Sequence, residues 1–167
     1  LTDNSLDSTY PMLPVWVFNS NNQPIRALAF FDTGSNMTVV SKALFKELKL
    51  PSTSYDLKLN FCVAGAHETD NNSKIFPLKL AAMDDPSNVT TISRAVVVKN
   101  LNLPRQSQFP ATLKELHPWL TDVPLPAYKD EMPQILIGVD HANLFKPLAM
   151  IDSPNSSMFA MKTTLGW

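Results

Sequence analysis

Cysteine is almost missing from this chain: Cys62 is the single one among 167 residues. No disulfide can form within the chain, an oxidising compartment gains nothing from it, and an intracellular setting is favoured. An excess of either charge is missing as well, with 14 Lys and Arg against 15 Asp and Glu for a net charge of −1. Binding to DNA, RNA or an anionic membrane surface draws on clustered basic side chains that release counterions, so no direct nucleic-acid partner is expected. Long apolar runs are absent too. The longest, such as Leu28 to Phe31 and Ala95 to Val98, fall far short of the roughly 18 residues that cross a bilayer, so no membrane span is expected. His67, His117 and His141 are widely spaced, and with one cysteine they make no zinc-binding pattern; neither a metal nor another cofactor is expected. There is no repeat or low-complexity tract. The sequence opens at Leu1 without a signal-peptide pattern, which points to a segment cut from a longer polypeptide.

What is present is 44% hydrophobic residues in a length that suits one domain with a real core. Residues 1–12 are polar and aperiodic and read as a flexible leader, leaving 13–167 as a single domain. From Leu13 the pattern alternates, with Leu13, Val15 and Val17 on one face and Trp16 and Phe18 on the other, the period of a strand. Asn19 to Pro24 supplies turn residues and Ile25 to Phe31 resumes the strand, which makes a hairpin. Ser41 is placed to cap a helix over Lys42 to Leu50, ended by Pro51. Asp56 to Phe61 and Ile75 to Leu80 read as the arms of a second hairpin with a long tip between them. Val89 to Val98 is a further strand. Residues 102–132 carry Pro104, Pro110, Pro118, Pro124 and Pro126, with room for one short helix at Ala111 to His117, and read as an irregular insert. A buried strand at Ile135 to Gly138, a short helix at Val139 to Phe145 and a last strand at Ser157 to Thr163 complete the chain. The expected fold is all-β, a closed or sandwiched antiparallel arrangement with two or three short helices.

One stretch stands out chemically. Asp32-Thr33-Gly34-Ser35 directly follows the apolar run Leu28-Ala-Phe-Phe31. A carboxylate at the end of a buried strand loses hydration and needs compensation. Gly34 permits a tight turn close to another backbone, and the hydroxyls of Thr33 and Ser35 can hold the loop. Asp-Thr-Gly is also a frequent turn tripeptide, so on these residues alone an ordinary turn is an equally open reading. The second signal is Ile135-Leu136-Ile137-Gly138, apolar residues running into a glycine.

Taken together, the two segments resemble the retropepsin-like aspartic proteases, in which one apolar strand enters Asp-Thr/Ser-Gly and a later apolar strand ending in glycine leads into a helix. Leu13-Pro-Val, Ala29-Phe-Phe-Asp-Thr-Gly-Ser-Asn36, Ile135-Leu-Ile-Gly-Val-Asp-His141 and Thr163-Thr-Leu-Gly-Trp167 are similar in particular to the protease of Bel/Pao-type LTR retrotransposons, over roughly residues 13–167. The resemblance implies a closed acid-protease β-barrel with a flap hairpin at Cys62 to Asn72. It implies an aspartic endopeptidase that processes a retrotransposon polyprotein in the cytoplasm or in a virus-like particle. Asp32, Thr33 and Gly34 would form the catalytic loop. Ser35, Asn36 and Met37 would meet the substrate, Leu136 and Ile137 would line apolar subsites, and Ala64, Gly65, Ala66 and His67 would form the flap tip. Leu136 and Ile137 are equally consistent with plain core.

Only one such motif occurs, since Asp84-Asp-Pro and Asp152-Ser-Pro lack the glycine. The second aspartate would therefore come from another copy in a two-fold homodimer, with a polypeptide as substrate; a two-lobed, pepsin-type single chain fails on length. In retroviral relatives an Arg after the second strand pairs with an Asp just past the catalytic motif. Here Val139 and Asn36 stand at those places, which leaves Asp140 or His141 as substitutes. The insert at 102–132 can cover an edge, extend the dimer contact or approach the cleft, with a packed surface loop as the simplest reading. The rival to an enzyme is a host-domesticated copy kept as a dimerisation or peptide-binding module.

Overall fold

The alternation at the start of the domain becomes strand β1 (Met12–Phe18) of a computed structural model that describes residues 9–55, 59–63, 66–70, 73–103, 105 and 109–167. It turns into β2 (Pro24–Phe31) through the expected hairpin, with Leu13 opposite Ala29 and Val17 opposite Ile25. Asn19 builds that turn: its side-chain oxygen accepts the N–H groups of Asn21 and Gln23, both at 2.9 Å. In chain order there follow β3 (Val39–Ser41), helix α1 (Lys42–Leu48), β4 (Thr53–Tyr55), β5 (Leu59–Val63), β6 (Ala66–Asp70), β7 (Ser73–Ala82) and β8 (Thr90–Val98). Helix α2 (Pro110–Leu116), a 3-10 turn at Pro118–Leu120, β9 (Ile135–Ile137), a 3-10 segment at Val139–Phe145, β10 (Ala149–Asp152) and β11 (Phe159–Lys162) complete the chain.

Six strands close into a barrel in the order β1, β2, β9, β3, β8, β7, and β7 returns to β1 with Val15 opposite Ala82 and Val17 opposite Leu80. β4 extends the sheet beyond β7, and two separate two-stranded ribbons, β5–β6 and β10–β11, stand apart from it. The fold is thus the expected all-β closed barrel with a few short helices. Pro77 lies in β7 where the ladder with β8 shifts register between Phe76 and Leu78, as a residue without an N–H requires.

β9, residues 27–31 of β2 and residues 95–98 of β8 are buried on both faces, and the period of two sorts the side chains of the barrel strands. Val15, Val17, Ala27, Ala29, Val97, Ile135 and Ile137 point into one apolar cluster, while Leu28, Phe30, Val96, Val98 and Leu136 belong to a second. Leu103, Phe109 and Tyr128 from the insert, with Leu101 just ahead of it, pack into that second cluster, so the insert covers an outer face of the barrel rather than lying loose on it. Each large side chain so covered contributes about 1.5–3 kcal/mol. Arg26 on β2 also holds the insert through a two-pronged pair with Glu131, at 2.6 and 2.8 Å. This ion pair raises the Arg26 pKa and lowers that of Glu131, chiefly through the hydrogen bond between them.

Several boundaries differ from expectation for local reasons. The Ser41 hydroxyl does cap α1, accepting the Leu44 N–H at 3.3 Å, but the helix stops at Leu48 because Lys49 takes a left-handed conformation with φ of 52°. α2 begins at Pro110, suited to a first helical turn by its fixed φ and missing N–H. The last strand is shorter than expected and pairs with β10, a strand not anticipated at all. Met12 already lies in β1 and is buried, so the leader ends earlier than residue 12; residues 1–8 lie outside the described residues.

Candidate active site

β2 delivers Asp32 to the end of the barrel, where the strand can no longer pair as a ladder and the chain turns. The Asp32 N–H donates to the Ile137 carbonyl at 3.0 Å, continuing the parallel pairing of β2 with β9 for one more residue. The loop then folds on its own atoms. Asp32 Oδ1 accepts the Gly34 N–H at 2.8 Å, and the Asp32 carbonyl accepts the Ser35 N–H at 3.2 Å. A Cβ on Gly34 would stand 3.2 Å from Asp32 Oδ1, a tight contact that the carboxylate would have to shift by a few tenths of an ångström to relieve. The other carboxylate oxygen accepts no hydrogen bond among the described residues, and the side chain is half-buried. One oxygen is thus anchored and the other presented.

The segment after β9 clamps the loop from the opposite side. The Val139 N–H donates to the Ser35 carbonyl at 2.9 Å, and the Ser35 hydroxyl donates to the Met37 carbonyl at 2.8 Å. Gly138 passes so close that a Cβ on it would lie 2.5 Å from the Met37 carbonyl oxygen, an approach only glycine allows. Beneath both segments sits Thr38, with no exposed surface. Its hydroxyl donates to Asp140 Oδ1 at 2.8 Å and accepts the Gly138 N–H at 3.2 Å, while its own N–H donates to Asp140 Oδ2 at 2.9 Å. His141 Nδ1 lies 3.1 Å from the same hydroxyl and 3.2 Å from Asp140 Oδ1. Since the one hydroxyl proton goes to Asp140, the network assigns a proton to His141 Nδ1. The tie between these two segments is therefore made by Asp140 and His141 on Thr38, with Val139 exposed and contributing only its backbone.

The positions singled out in the sequence separate into three groups. Asp32, Thr33, Gly34 and Asn36 form the open crest of the loop, and Ser35 and Met37 are half-buried in its base, Met37 against the second apolar cluster. Ile137 is fully buried in the first cluster and Leu136 is buried in the second, so within this chain both pack as core. Ala66 and His67 pair with Val63 and Cys62 across the β5–β6 ribbon. Ala64 and Gly65 lie outside the described residues.

Thr38 was missed in the sequence. The signal was a polar residue directly ahead of the buried pair Val39-Val40, where a hydroxyl must find a partner. Among the described residues no group of three or more His, Cys, Asp or Glu side chains comes together to hold a metal ion. An open apolar depression of about 630 Å³ borders the loop. Thr33, Phe31 and Tyr10 line it on the barrel side, and Trp119, Phe159 and Trp167 on the other.

No family model matches the chain, and no curated protein matches it. Among solved structures it is similar to the EIAV protease complexed with the inhibitor HBY-793, at 16% sequence identity and a TM-score of 0.42. That alignment covers 84% of this chain and 89% of the protease chain. What the loop can do follows from its own atoms. A carboxylate with one oxygen pinned by a backbone N–H and the other open is placed to accept a proton from water, or to share one with a second carboxylic group brought against it.

Proposed function

We propose that this chain is an aspartic endopeptidase that works as a homodimer, cleaving peptide bonds with the Asp32 carboxyls of two copies. The observation that carries the reading is the Asp32-Thr-Gly loop itself. Its carboxylate is half-exposed at the mouth of a closed barrel, oriented by the Gly34 N–H, and clamped from behind by Gly138, Val139 and the Thr38–Asp140 pair. One such loop supplies half of an acid–base pair.

Two carboxyl groups facing each other across a short gap do not ionise together, so they hold one proton between them and titrate as a unit. The ionised member takes a proton from a water molecule as its oxygen attacks the scissile carbonyl carbon. The protonated member gives its proton to the carbonyl oxygen, and the resulting gem-diol carries no net charge. Proton transfer to the amide nitrogen then breaks the C–N bond, releasing a carboxylic acid and an amine. Thr33 of each copy would hold the two loops together across the axis, and Asn36 and Met37 would meet the substrate chain. The substrate class this reading favours is an extended polypeptide with apolar residues at the cleavage junction, as in the polyprotein of a Bel/Pao-type element.

Digestion of a peptide library by the full chain tests this directly. Cleavage is expected at a restricted set of apolar junctions, to be blocked by a statine-type inhibitor, and to fall by on the order of 10²–10⁴-fold in Asp32→Asn. A wild-type protein that cleaves no member while still capturing peptides would identify a binding module instead, and cleavage that survives Asp32→Asn would remove Asp32 from the chemistry.

A further inference from the structure

The even charge balance of the chain counts charges without placing them, and the fold gathers part of the positive ones. Helix α1 carries Lys42 and Lys46 one turn apart on the side away from its buried Leu44 and Leu48, and Lys49 follows at its C-cap; all three are exposed. The stability of the helix does not account for them. Lys42 opens it, where the dipole disfavours a cation and no acidic residue sits in the first turn, and Lys42 and Lys46 repel each other across that turn. Glu47 is the one acidic residue of α1, and among the described residues it forms no ion pair with any of them.

The tertiary structure adds three more exposed lysines around this helix. Ser41 of β3 pairs in parallel with Val98 of β8, and each is followed by a lysine, so Lys42 and Lys99 leave neighbouring strands at the same end. Lys74 of β7 has its Nζ 5.6 Å from the centre of the Phe45 ring, which packs on Phe76 at 4.8 Å, so a cation–π contact holds it against α1. Lys79 donates to Asn22 Oδ1 at 3.4 Å in the β1–β2 turn, and that turn reaches the end of α1 through the Ser20 N–H, which donates to the Leu48 carbonyl at 3.0 Å. The ion pairs among the described residues are Arg26 with Glu131, Arg105 with Asp130 and His141 with Asp140, so none of the six lysines is neutralised there.

We propose that this face, with Lys42, Lys46 and Lys49 at its centre, binds the sugar–phosphate backbone of a single-stranded nucleic acid without reading its sequence. Unpaired cations gathered on one face are the electrostatic footprint of such a partner, whatever the net charge of the whole chain. The side chains favour phosphate over an acidic polypeptide. They are point charges on flexible stems, which suit phosphate oxygens spaced along a strand, and the face holds no arginine fork to orient a carboxylate. None of the six lines the apolar depression beside the Asp32 loop, so the face offers no such recess for the side chains of a peptide. The proposal stands apart from the chemistry of Asp32 and needs no second copy of the chain.

Fluorescence anisotropy of a labelled single-stranded RNA of mixed sequence, titrated with the full chain, tests the face. Binding is expected at about 50 mM salt, with the logarithm of the affinity falling against that of salt at a slope of about −3 to −4, as four to six phosphate contacts give. Lys42→Gln, Lys46→Gln and Lys49→Gln together should weaken binding at least tenfold and make that slope shallower by about 2. Lys114→Gln, Lys129→Gln and Lys146→Gln together remove the same charge elsewhere and should leave binding unchanged. Replacing the three α1 lysines by arginine should retain binding, which separates charge from any effect on folding. No binding at low salt, a slope near zero, or equal losses from the two glutamine triples overturns the proposal. Tighter binding of polyglutamate than of RNA also overturns it, since the partner would then be an acidic polypeptide.

Discussion

The Asp32 loop and the β10–β11 ribbon stand on the same side of the molecule and are built by opposite means. At the base of the loop the polar atoms are answered by other atoms of the chain: the Asp32, Gly34 and Ser35 N–H groups, the Ser35 hydroxyl, the Thr38 hydroxyl and the Asp140 carboxylate all have partners. In the ribbon the backbone of each strand pairs, among the described residues, with the other strand alone, and the residues of β10 are exposed. A half-buried carboxylate can be kept in one orientation only if its surroundings are determined several times over, because each unanswered polar atom costs about 1–3 kcal/mol. An uncovered apolar ribbon carries no such requirement within the monomer. The hydrogen bonds that orient the loop are thus internal to this chain, while the side chains of β10 are exposed.

Substitutions sharpen that contrast, since those in the loop should act at any protein concentration. The largest change expected is the loss of turnover in Asp32→Asn without a change in melting temperature, because Gly34 can still donate to the amide oxygen. Next is Gly138→Ala. The added Cβ meets the Met37 backbone rather than a flexible side chain, so the cost is about 1–3 kcal/mol or more, read as a lower midpoint in urea unfolding. Thr38→Val keeps the shape but removes the hydroxyl that joins Gly138 to Asp140, at a cost of about 1–3 kcal/mol. If Thr38→Val unfolded at the same midpoint as wild type, the loop would not be held from behind as described.

Smaller effects are expected where solvent reaches the groups. Glu131→Gln removes a pair about one-third exposed on each partner, so screening limits the loss to roughly 0.2–1 kcal/mol. The Glu131 pKa is lowered in the folded chain by its bond to Arg26, so the pair's contribution is fully present above the ordinary glutamate range. It is lost as pH falls through the lowered value. The difference in stability between wild type and Glu131→Gln should therefore shrink on acidification, measured by thermal melts across that range. The smallest effect belongs to the ribbon: Met150→Ser should change the stability of dilute, monomeric chain by no more than about 0.5 kcal/mol. A large loss there would show that the ribbon is part of the domain's own core and would erase the contrast with the loop.

Local chemistry made much of this readable in advance. The hairpin of β1 and β2 followed from strict alternation around Asn19 to Pro24, the start of α1 from a serine placed to cap it, and β8 from its β-branched run. Two three- or four-residue strands escaped. β4 and β10 are too short to show a period, and β10 is exposed on every residue, so no buried face marks it in the sequence. The insert was visible as a proline-rich irregular stretch, but its part in covering the barrel was not, because Leu101, Leu103 and Tyr128 are scattered without periodicity.

The candidate site divides in the same way. Asp32, Gly34 and Gly138 could be picked out from residue type and their place after apolar strands, since a carboxylate at a strand end and a glycine at a close approach are local requirements. That Thr38 lies against Asp140, 102 residues further on, depended on β3 and β9 being neighbours in the closed barrel. Side-chain alternation and turn chemistry act over a few residues and are written in the order of amino acids. The meeting of distant polar groups is decided by which strands pair, and strand pairing is chosen by the burial of the whole apolar set at once.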